Sequence, residues 1–546
     1  MMKLKYLIII CLFFTSNNYA QDNAIKENPK LVVGIVVDQM RYDYLTRFWD
    51  RFGDDGFKKL VNNGYNFKNN HFNYIPTYTG PGHASVWTGT SPMNHGIIGN
   101  NWFDKNKGQS VYCTDDASVE PVGTTSKAGK MSPNLLKTTT LGDENRLHTQ
   151  MRGKTIGVAI KDRGSILPAG HTANAAYWFH GADEGKFISS TFYMKDLPKW
   201  VQDFNNSDHA ESYLRTWNSL YELESYTESG NDENSFERGF TGKATATFPY
   251  DLDKLKTENG NYGIISQTPF GNDLTTDFAL AAIQGEGLGQ DENTDILTIS
   301  FSSTDYIGHN FGVNSKEIQD TYLRLDKNLA SLLEYLDENI GENEYTVFLT
   351  ADHGGVHVPA YLQSVKIPGG YFKDAEFTDS LQEFVKEKYG REDLIQNISN
   401  GQIFFNYESL LDADIDAREL ENNIATYTLQ QDQIDKVFTR QDLVSNGFSD
   451  GPESLLQNGF NQHRSGDVIF VLDPATIIYP KTGSTHGSGL NYDTHAPLIF
   501  YGAGIKKGST TQRSEITDIA PTMAALLGIS FPNGTTGRPL YMMLDK

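Results

Sequence analysis

The chain has 546 residues, and its 69 acidic side chains against 46 lysines and arginines give a formal net charge of −23. A negative charge of this size argues against nucleic acid or an anionic membrane surface as a partner. It does not exclude an anionic substrate, because a metal ion and a few basic side chains can reverse the field inside a cleft. The length suffices for one large domain with insertions or for two domains.

The first twenty residues have the composition of a secretory signal peptide. Lys3 and Lys5 precede a short apolar run at residues 6–14, and small and polar residues then lead to Ala20 and Gln21. The apolar run is too short to span a bilayer. We therefore predict cleavage after Ala20, export to the periplasm or the medium, and a mature chain that is not attached to the membrane.

The first predicted strand is the continuous apolar run at residues 31–37, which is closed by Asp38. Continuous rather than alternating apolarity indicates a parallel strand that is buried on both faces. Ligands of open α/β sheets bind beyond the carboxyl ends of the strands. Asp38 is thus a candidate ligand, and the alternative is that it caps a helix predicted over residues 39–52.

The segment at residues 74–101 is organised around Thr79, which is followed by Gly80 and Pro81. Glycine lets the backbone approach a ligand closely, and proline suits the first turn of a helix. A hydroxyl just before a helix is usually its N-cap. The same geometry also aims backbone N–H groups at an anion beside that hydroxyl, so Thr79 is either a cap or a nucleophile.

Residues 101–130 are polar and predict a loop, and a helix is predicted over residues 140–151. The next strand, at residues 155–160, is followed by Lys161 and Arg163. Two cations just beyond a strand end suit a phosphate, with lysine as a point charge and arginine as a bidentate fork. The alternative is a solvated turn.

The pattern of strands and helices breaks down at about residues 171–270, which we interpret as an insertion that covers the site. A strand then follows at residues 294–301, with Asp305 and His309 after it. Residues four apart lie on one side of a helical turn, so these two side chains are candidate ligands of one ion. A long amphipathic helix is predicted over residues 315–339.

The strand predicted at residues 345–351 is followed by Asp352 and His353. A carboxylate and an imidazole are unfavourable in an apolar core, but both are common metal ligands. A second insertion is predicted at about residues 359–466, with helices at 378–389 and 415–425. The apolar run at residues 467–472 is expected to resume the main sheet.

The last candidate ligand, His486, lies in a glycine-rich loop before a strand at residues 498–502, and a final helix ends near Gly528. Strands that alternate with helices, with the candidate residues at strand ends, predict an α/β fold. We expect a doubly wound, mostly parallel sheet in an α/β/α sandwich, with the two insertions forming a cap on a catalytic domain at residues 21–546.

The candidate ligands offer carboxylate and imidazole but no thiolate, which suits zinc better than magnesium or manganese. Their number exceeds the needs of one catalytic zinc and fits two, and two metals about 4 Å apart can clamp the attacking and leaving oxygens of a phosphoryl transfer. Such ions also lower the pKa of a bound hydroxyl. The full set is Asp38, Thr79, Asp305, His309, Asp352, His353 and His486.

These motifs, in this order, resemble the alkaline phosphatase superfamily over nearly the whole mature chain. The likeness is strongest to the phosphate-irrepressible periplasmic alkaline phosphatases of the PafA type. The resemblance implies two zinc ions per chain, one bound by Asp305, His309 and His486. It assigns the other zinc to Asp38, Asp352 and His353, with Thr79 beside it as the nucleophile.

The same resemblance assigns contacts with the phosphoryl oxygens to Asn100, Lys161 and Arg163. It implies a zinc-dependent phosphate monoester hydrolase that acts through a phosphothreonine and releases inorganic phosphate. The partners are small phosphate monoesters and no nucleic acid, and a monomer is among the oligomeric states that the sequence allows.

Three alternatives remain open. Nucleotide pyrophosphatase/phosphodiesterases also use threonine and two zincs but lack counterparts of Lys161 and Arg163. Sulfatases need cysteine or serine where this chain has Thr79, and a catalytically silent relative would not need the full ligand set. Three further histidines are interpreted as structural: His83, His357 and His495.

Overall fold

The structure is a computed structural model that describes residues 28–545. The predicted signal peptide, residues 1–20, lies outside the described residues. The strands are β1 (Leu31–Val37), β2 (Tyr65–Phe67), β3 (Asn70–His71), β4 (Asn101–Asp104), β5 (Gln109–Tyr112), β6 (Pro121–Val122), β7 (Thr155–Ala159), β8 (Ala175–His180), β9 (Lys186–Ser190), β10 (Thr216–Trp217), β11 (Tyr250–Asp251), β12 (Asp295–Phe301), β13 (Tyr345–Thr350), β14 (Gly370–Tyr371), β15 (Ile395–Ser399), β16 (Gln402–Phe405), β17 (Ile434–Thr439), β18 (Val468–Leu472), β19 (Thr476–Ile477), β20 (Leu498–Gly502), β21 (Gly508–Thr510) and β22 (Ser514–Glu515).

The α-helices of the described residues are α1 (Asp43–Arg47), α2 (Phe57–Asn63), α3 (Thr79–Thr88), α4 (Pro92–His95), α5 (Leu141–His148), α6 (Asp162–Ala169), α7 (Lys199–Asn205), α8 (His209–Ser212), α9 (Leu252–Leu255), α10 (Phe270–Glu286), α11 (Ser303–Phe311), α12 (Lys316–Asn339), α13 (Pro359–Ser364), α14 (Asp374–Tyr389), α15 (Tyr407–Asp412), α16 (Ala417–Leu429), α17 (Arg440–Ser445), α18 (Gly451–Gly459), α19 (Asn491–Thr494) and α20 (Ile519–Leu527). None of the helices in residues 28–545 is both long and apolar enough to cross a membrane.

A ten-stranded sheet forms the centre of the fold, in the order β21-β2-β20-β13-β1-β12-β7-β8-β9-β6. Its middle strands β13, β1, β12, β7 and β8 are parallel, whereas β20 and β9 pair antiparallel towards the two edges. Every residue of β1 is buried, as the continuous apolar run predicts. Helix α6 contacts β7 and β8, and α10 contacts β7 and β12, which confirms the predicted α/β class with a mostly parallel central sheet.

The parallel strands determine where the candidate residues lie. Because parallel neighbours end at the same edge of a sheet, the residues that follow β1, β7, β12 and β13 are brought together there. Asp38 follows β1, Lys161 follows β7, Asp305 lies in α11 just after β12, and Asp352 follows β13. The fold therefore gathers side chains that are far apart in the sequence.

Two assignments to the main sheet need correction. The first predicted insertion was placed from about residue 171, but β8 and β9 lie within the central sheet. The run at residues 467–472 was expected to resume that sheet, but β18 instead pairs with β16 and β17 in a separate four-stranded sheet. On alternating faces of β18, Val468 and Phe470 belong to a second hydrophobic core in the second insertion, whereas Ile469 belongs to another cluster.

Two local predictions were also wrong. The helix predicted over residues 39–52 is replaced by the short helix α1 and a 3-10 helix at Trp49–Arg51, because Gln39 has a φ of 61° and the chain turns there instead of starting a helix. The loop predicted at residues 101–130 contains the antiparallel hairpin of β4 and β5. The helices predicted over residues 140–151 and 315–339 are confirmed as α5 and α12, each capped by the hydroxyl that precedes it, Thr140 and Ser315.

Candidate active site

Two groups of ligand-type atoms lie at the carboxyl edge of the central sheet. Asp38, Asp352 and His353 form one group, and Asp305, His353 and His486 form the other, with the ligand atoms of each group within 4.8 Å of one another. The side chains of Asp38, Asp352 and His353 are fully buried. The predicted metal-ligating residues are thus brought together by the fold.

The second group differs in one member from the set that the resemblance implies, because it contains His353 where His309 was expected. His309 is nevertheless close, with its Nε2 3.2 Å from Asp305 Oδ1, and His486 Nε2 lies 3.6 Å from the same oxygen. The rings of His353 and His486 stack with centroids 3.5 Å apart. The assignment of His309 to one ion and His353 to the other stays a prediction.

The three aspartates of the site are buried close together, which shifts their pKa values. Burial, reinforced by the neighbouring Asp352, raises the pKa of Asp38 well above its usual value. Burial acts in the same direction on Asp305, but the charges at His309 and Lys161 outweigh it and hold the pKa well below its usual value. Asp38 Oδ1 and Asp352 Oδ2 are buried and accept no hydrogen bond of good geometry, although His353 Nε2 lies 3.5 Å from each of them. Buried carboxylate oxygens beside an imidazole nitrogen fit a site for positive metal ions.

Thr79 is the first residue of α3 and is buried, with 1% of its surface exposed. The N-cap of this helix is Tyr78, and no side chain caps it, so the structure does not support the reading of Thr79 as a cap. Its Oγ1 lies 3.4 Å from His353 Nε2. Residue 82 is a glycine, which lets helix α3 lie close to Asp352. A Cβ at position 82 would overlap the backbone oxygen of Asp352.

Asn100 is fixed beside the start of α3. Its Oδ1 accepts a hydrogen bond of 2.7 Å from the backbone N–H of Gly80, the residue that follows Thr79. The bond uses the acceptor of the amide and leaves its Nδ2 group to donate. This arrangement agrees with the donor role that the resemblance gives Asn100.

Lys161 bridges the two groups of acids. Its Nζ lies 2.7 Å from Asp38 Oδ2 and 2.5 Å from Asp305 Oδ2, and its side chain is buried. Burial alone would lower the pKa of Lys161, but Asp305 and Asp38 outweigh burial and raise it above its usual value. A permanent positive charge is therefore present between the candidate metal groups.

Arg163, on the first turn of α6, is oriented by a side chain that the sequence interpretation missed. Its Nη1 donates to the hydroxyl of Tyr112 over 3.0 Å, and this hydroxyl donates to Asp162 Oδ1 over 2.5 Å. Tyr112 ends β5, in the region that was predicted to be a loop. Because the hairpin was not foreseen, no sequence signal connected Tyr112 with Arg163.

Two further residues contact the candidate ligands. The sequence analysis missed Gln39 and interpreted His83 as structural. The backbone N–H of Gln39 donates to Asp352 Oδ1 over 3.1 Å, and its Nε2 donates to Asp305 Oδ1 over 2.7 Å. Gln39 thereby connects the two groups of acids. His83, interpreted as structural, has its Nδ1 3.3 Å from Asp352 Oδ2 and its Nε2 2.8 Å from the hydroxyl of Ser300.

The fold and the site define the class of this protein. Residues 32–496 match the family described as type I phosphodiesterase / nucleotide pyrophosphatase, and the chain belongs to this family. Within it, the chain is of the PafA alkaline phosphatase type. It is 44% identical to alkaline phosphatase PafA of Elizabethkingia meningoseptica over 96% of both chains.

A crystal structure of wild-type alkaline phosphatase PafA matches this fold with a TM-score of 0.91 and 43% identity, over 95% of this chain and 99% of that chain. A protein of Myroides odoratus named calcium-transporting ATPase is 45% identical over 98% of both chains. The names of the relatives differ, but a buried hydroxyl among Asp and His side chains is compatible with metal-assisted phosphoryl transfer.

Proposed function

We propose that this protein is a metal-dependent alkaline phosphatase that hydrolyses small phosphate monoesters and releases inorganic phosphate. The observation that carries the proposal is the buried Thr79 hydroxyl, which lies 3.4 Å from His353 Nε2, a nitrogen that is itself 3.5 Å from Asp38 Oδ1 and from Asp352 Oδ2. The identity of 44% to an alkaline phosphatase along nearly the whole chain supports it. Export with cleavage after Ala20 belongs to the same proposal, because it would bring the enzyme to external substrates.

Zinc is the metal that we propose, with two ions per chain. Nitrogen and oxygen donors without thiolate fit it, with Asp38, Asp352 and His353 on one side. On the other side we assign Asp305, His309 and His486. Bound there, zinc would polarise the phosphoryl group and lower the pKa of the attacking hydroxyl.

The chain's own residues would carry out the transfer as follows. Thr79 Oγ1 attacks phosphorus, the bond from phosphorus to the leaving oxygen breaks, and a phosphothreonine remains on the chain. Water then hydrolyses this ester and frees the hydroxyl of Thr79. Asn100 Nδ2 would donate to a non-bridging oxygen and hold the phosphoryl group in line with the helix start.

Lys161 and Arg163 would determine whether the enzyme prefers phosphate monoesters or diesters as substrates. A monoester presents two charges on three non-bridging oxygens, whereas a diester presents one charge on two. Two fixed cations beyond the metals stabilise the extra charge where it persists in the transition state. The alternative function, nucleotide pyrophosphatase/phosphodiesterase, is the one that the family description names.

The experiment that tests this choice is the double variant Lys161→Ala with Arg163→Ala. Each charge-assisted contact contributes roughly 1.5–3 kcal/mol, so the pair should supply on the order of 10²–10⁴ in discrimination. We expect the variant to lose far more monoester than diester kcat/KM at full metal content. Exposed Lys199 and Arg418, both changed to Ala, serve as the control. Equal losses on both esters would favour the phosphodiesterase.

A further inference from the structure

A buried aspartate outside the candidate ligand set connects the two loops that carry His353 and His486. Asp493 lies in the short helix α19, and 1% of its surface is exposed. It belongs to neither of the two groups of ligand-type atoms at the carboxyl edge of the sheet. Its side chain and its backbone carbonyl bond to different loops, and each of these loops follows a candidate metal ligand.

The side chain of Asp493 binds the residues that follow His486. Its Oδ2 accepts a hydrogen bond from the backbone N–H of Gly487 over 3.1 Å and a second from the N–H of Ser488 over 2.7 Å. The hydroxyl of Ser488 donates to the same oxygen over 2.7 Å. Three donors on one buried oxygen hold this backbone in place, because a buried donor that loses its acceptor costs free energy.

The backbone of α19 holds the loop that follows His353. The carbonyl of Asp493 accepts a hydrogen bond of 2.8 Å from the N–H of Gly354. A Cβ at position 354 would lie 2.1 Å from the backbone oxygen of Tyr492, so glycine permits the close approach of this loop to the helix. A helix of four residues therefore joins both ligand loops.

The rings of the two histidines are oriented by backbone carbonyls, but in different ways. His486 Nδ1 lies 2.8 Å from the oxygen of Thr77, in another part of the chain. His353 Nδ1 lies 2.9 Å from the oxygen of Gly354, its own neighbour. A carbonyl only accepts, so each Nδ1 carries the hydrogen and each Nε2 is free to bind a metal. The His486 ring keeps this contact only while its loop stays in position relative to Thr77.

We propose, on the basis of the zinc sites in the proposed function, that Asp493 is a positioning residue that fixes His486 for metal binding. It acts through the backbone that follows His486 and does not itself bind the ion. The effect concerns one ion, because the side chain of Asp493 bonds to the loop of His486. Its bond to Gly354, beside His353, comes from the backbone and survives a change of side chain.

The zinc affinity of the two sites tests this role without using catalytic activity. The holoenzyme is equilibrated with a range of concentrations of a zinc chelator of known affinity, and the zinc that remains on the protein is measured. His486→Ala identifies the binding step to which this histidine contributes. Asp493→Ala should weaken that step by about 10–100-fold and leave the other step unchanged. Asp493→Asn keeps an oxygen for the three donors and should retain most of the affinity.

Two further variants separate positioning from general stability. Asp326 in α12 is also buried, and it accepts from the backbone N–H of Gly53 over 2.7 Å and from that of Phe57 over 2.8 Å. Asp326→Ala should lower the Tm without changing zinc affinity. Ser488→Ala removes one of the three donors and keeps the carboxylate. It should weaken the same zinc step by less than Asp493→Ala does, and it decides the question if Asp493→Ala fails to fold.

Two results would overturn the role of Asp493. One is wild-type zinc affinity at both steps in Ser488→Ala and in folded Asp493→Ala. The other is an equal loss of zinc affinity in Asp493→Ala and Asp326→Ala, which would mean that zinc binding follows overall stability. Wild-type protein that binds no zinc would instead contradict the proposed function, and with it the zinc site that Asp493 is proposed to position.

Discussion

At the scale of single residues, the candidate active site depends on side chains that compensate buried acids. Lys161 is shared between Asp38 and Asp305, and Gln39 is shared between Asp305 and Asp352. Both residues connect the two candidate metal groups, one by charge and the other by hydrogen bonds. Partners of metal ligands fix the orientation of those ligands and tune their basicity.

Gln39 provides the residue-scale prediction. Gln39→Leu removes the hydrogen bond to Asp305 Oδ1 while the backbone N–H to Asp352 and the contact of Lys161 with Asp305 Oδ2 remain, so the orientation of Asp305 should be less firmly fixed. We expect zinc affinity and kcat/KM to fall by about 10–100-fold. Equilibrium zinc content and activity at limiting and excess zinc measure the effect.

A matched control for Gln39 is available in α12. Gln319 is buried, and its Nε2 also donates to a carboxylate, that of Glu228, over 2.6 Å. Gln319→Leu should lower thermal stability without changing zinc affinity. Equal zinc loss in both variants would mean that Gln39 acts only through general stability.

At the scale of elements, the sequence predicted those features that follow from strand periodicity. Asp38, Asp352 and His353 could be proposed because each follows a buried apolar strand, and such strands end at the functional edge of an α/β sheet. Gln39 could not be proposed, because its contacts arise from a turn with positive φ where a helix was expected. Tyr112 could not be proposed either, because residues 101–130 were predicted to be a loop. Its position depends on the pairing of β5 with β4.

Glu317, which is fully buried in the first turn of α12, provides the element-scale prediction. Burial raises the pKa of Glu317 to about 8, above the value of about 4.3 in an unfolded chain. Between these values the native state holds the extra proton, so stability falls as pH rises, by at most about 1.4 kcal/mol per pH unit. The groups that act on it or on its neighbours are Asp232, Glu237, Tyr250, Asp320, Lys243 and Lys316.

The measurement is the Tm of wild type and of Glu317→Gln from about pH 5 to pH 9. The difference in Tm, variant minus wild type, should grow as the pH rises. A difference that stays constant over this range would show that Glu317 does not hold a proton in the folded state.

At the scale of the whole molecule, the extent of the second insertion shows what sequence reasoning cannot decide. The run at residues 467–472 is as apolar as a strand of the main sheet, yet its partners lie in the second insertion. Local apolarity predicts a buried strand but not which of two cores buries it. The division into one catalytic domain with two insertions therefore stays a prediction.

The metal content is the prediction that concerns the whole molecule. We expect about two zinc ions per chain in active, undialysed protein, because the site gathers three aspartates and three histidines. Prolonged chelation should abolish activity and added zinc should restore it, with far-UV circular dichroism as the control for folding. Elemental analysis that finds no zinc in active protein, or activity that survives chelation, would contradict the assignment.

The central claim is that Thr79 attacks phosphorus, and the stereochemical course of the reaction tests it most directly. Two in-line displacements, first by Thr79 and then by water, give overall retention at phosphorus. A thiophosphate monoester made chiral with two oxygen isotopes, and hydrolysed in water that carries the third, should therefore yield inorganic thiophosphate of retained configuration. Thr79→Ala should lose several orders of magnitude in kcat/KM with zinc still bound, whereas Thr79→Ser should keep much of it. Inversion at phosphorus would show that water attacks directly, and it would contradict the account.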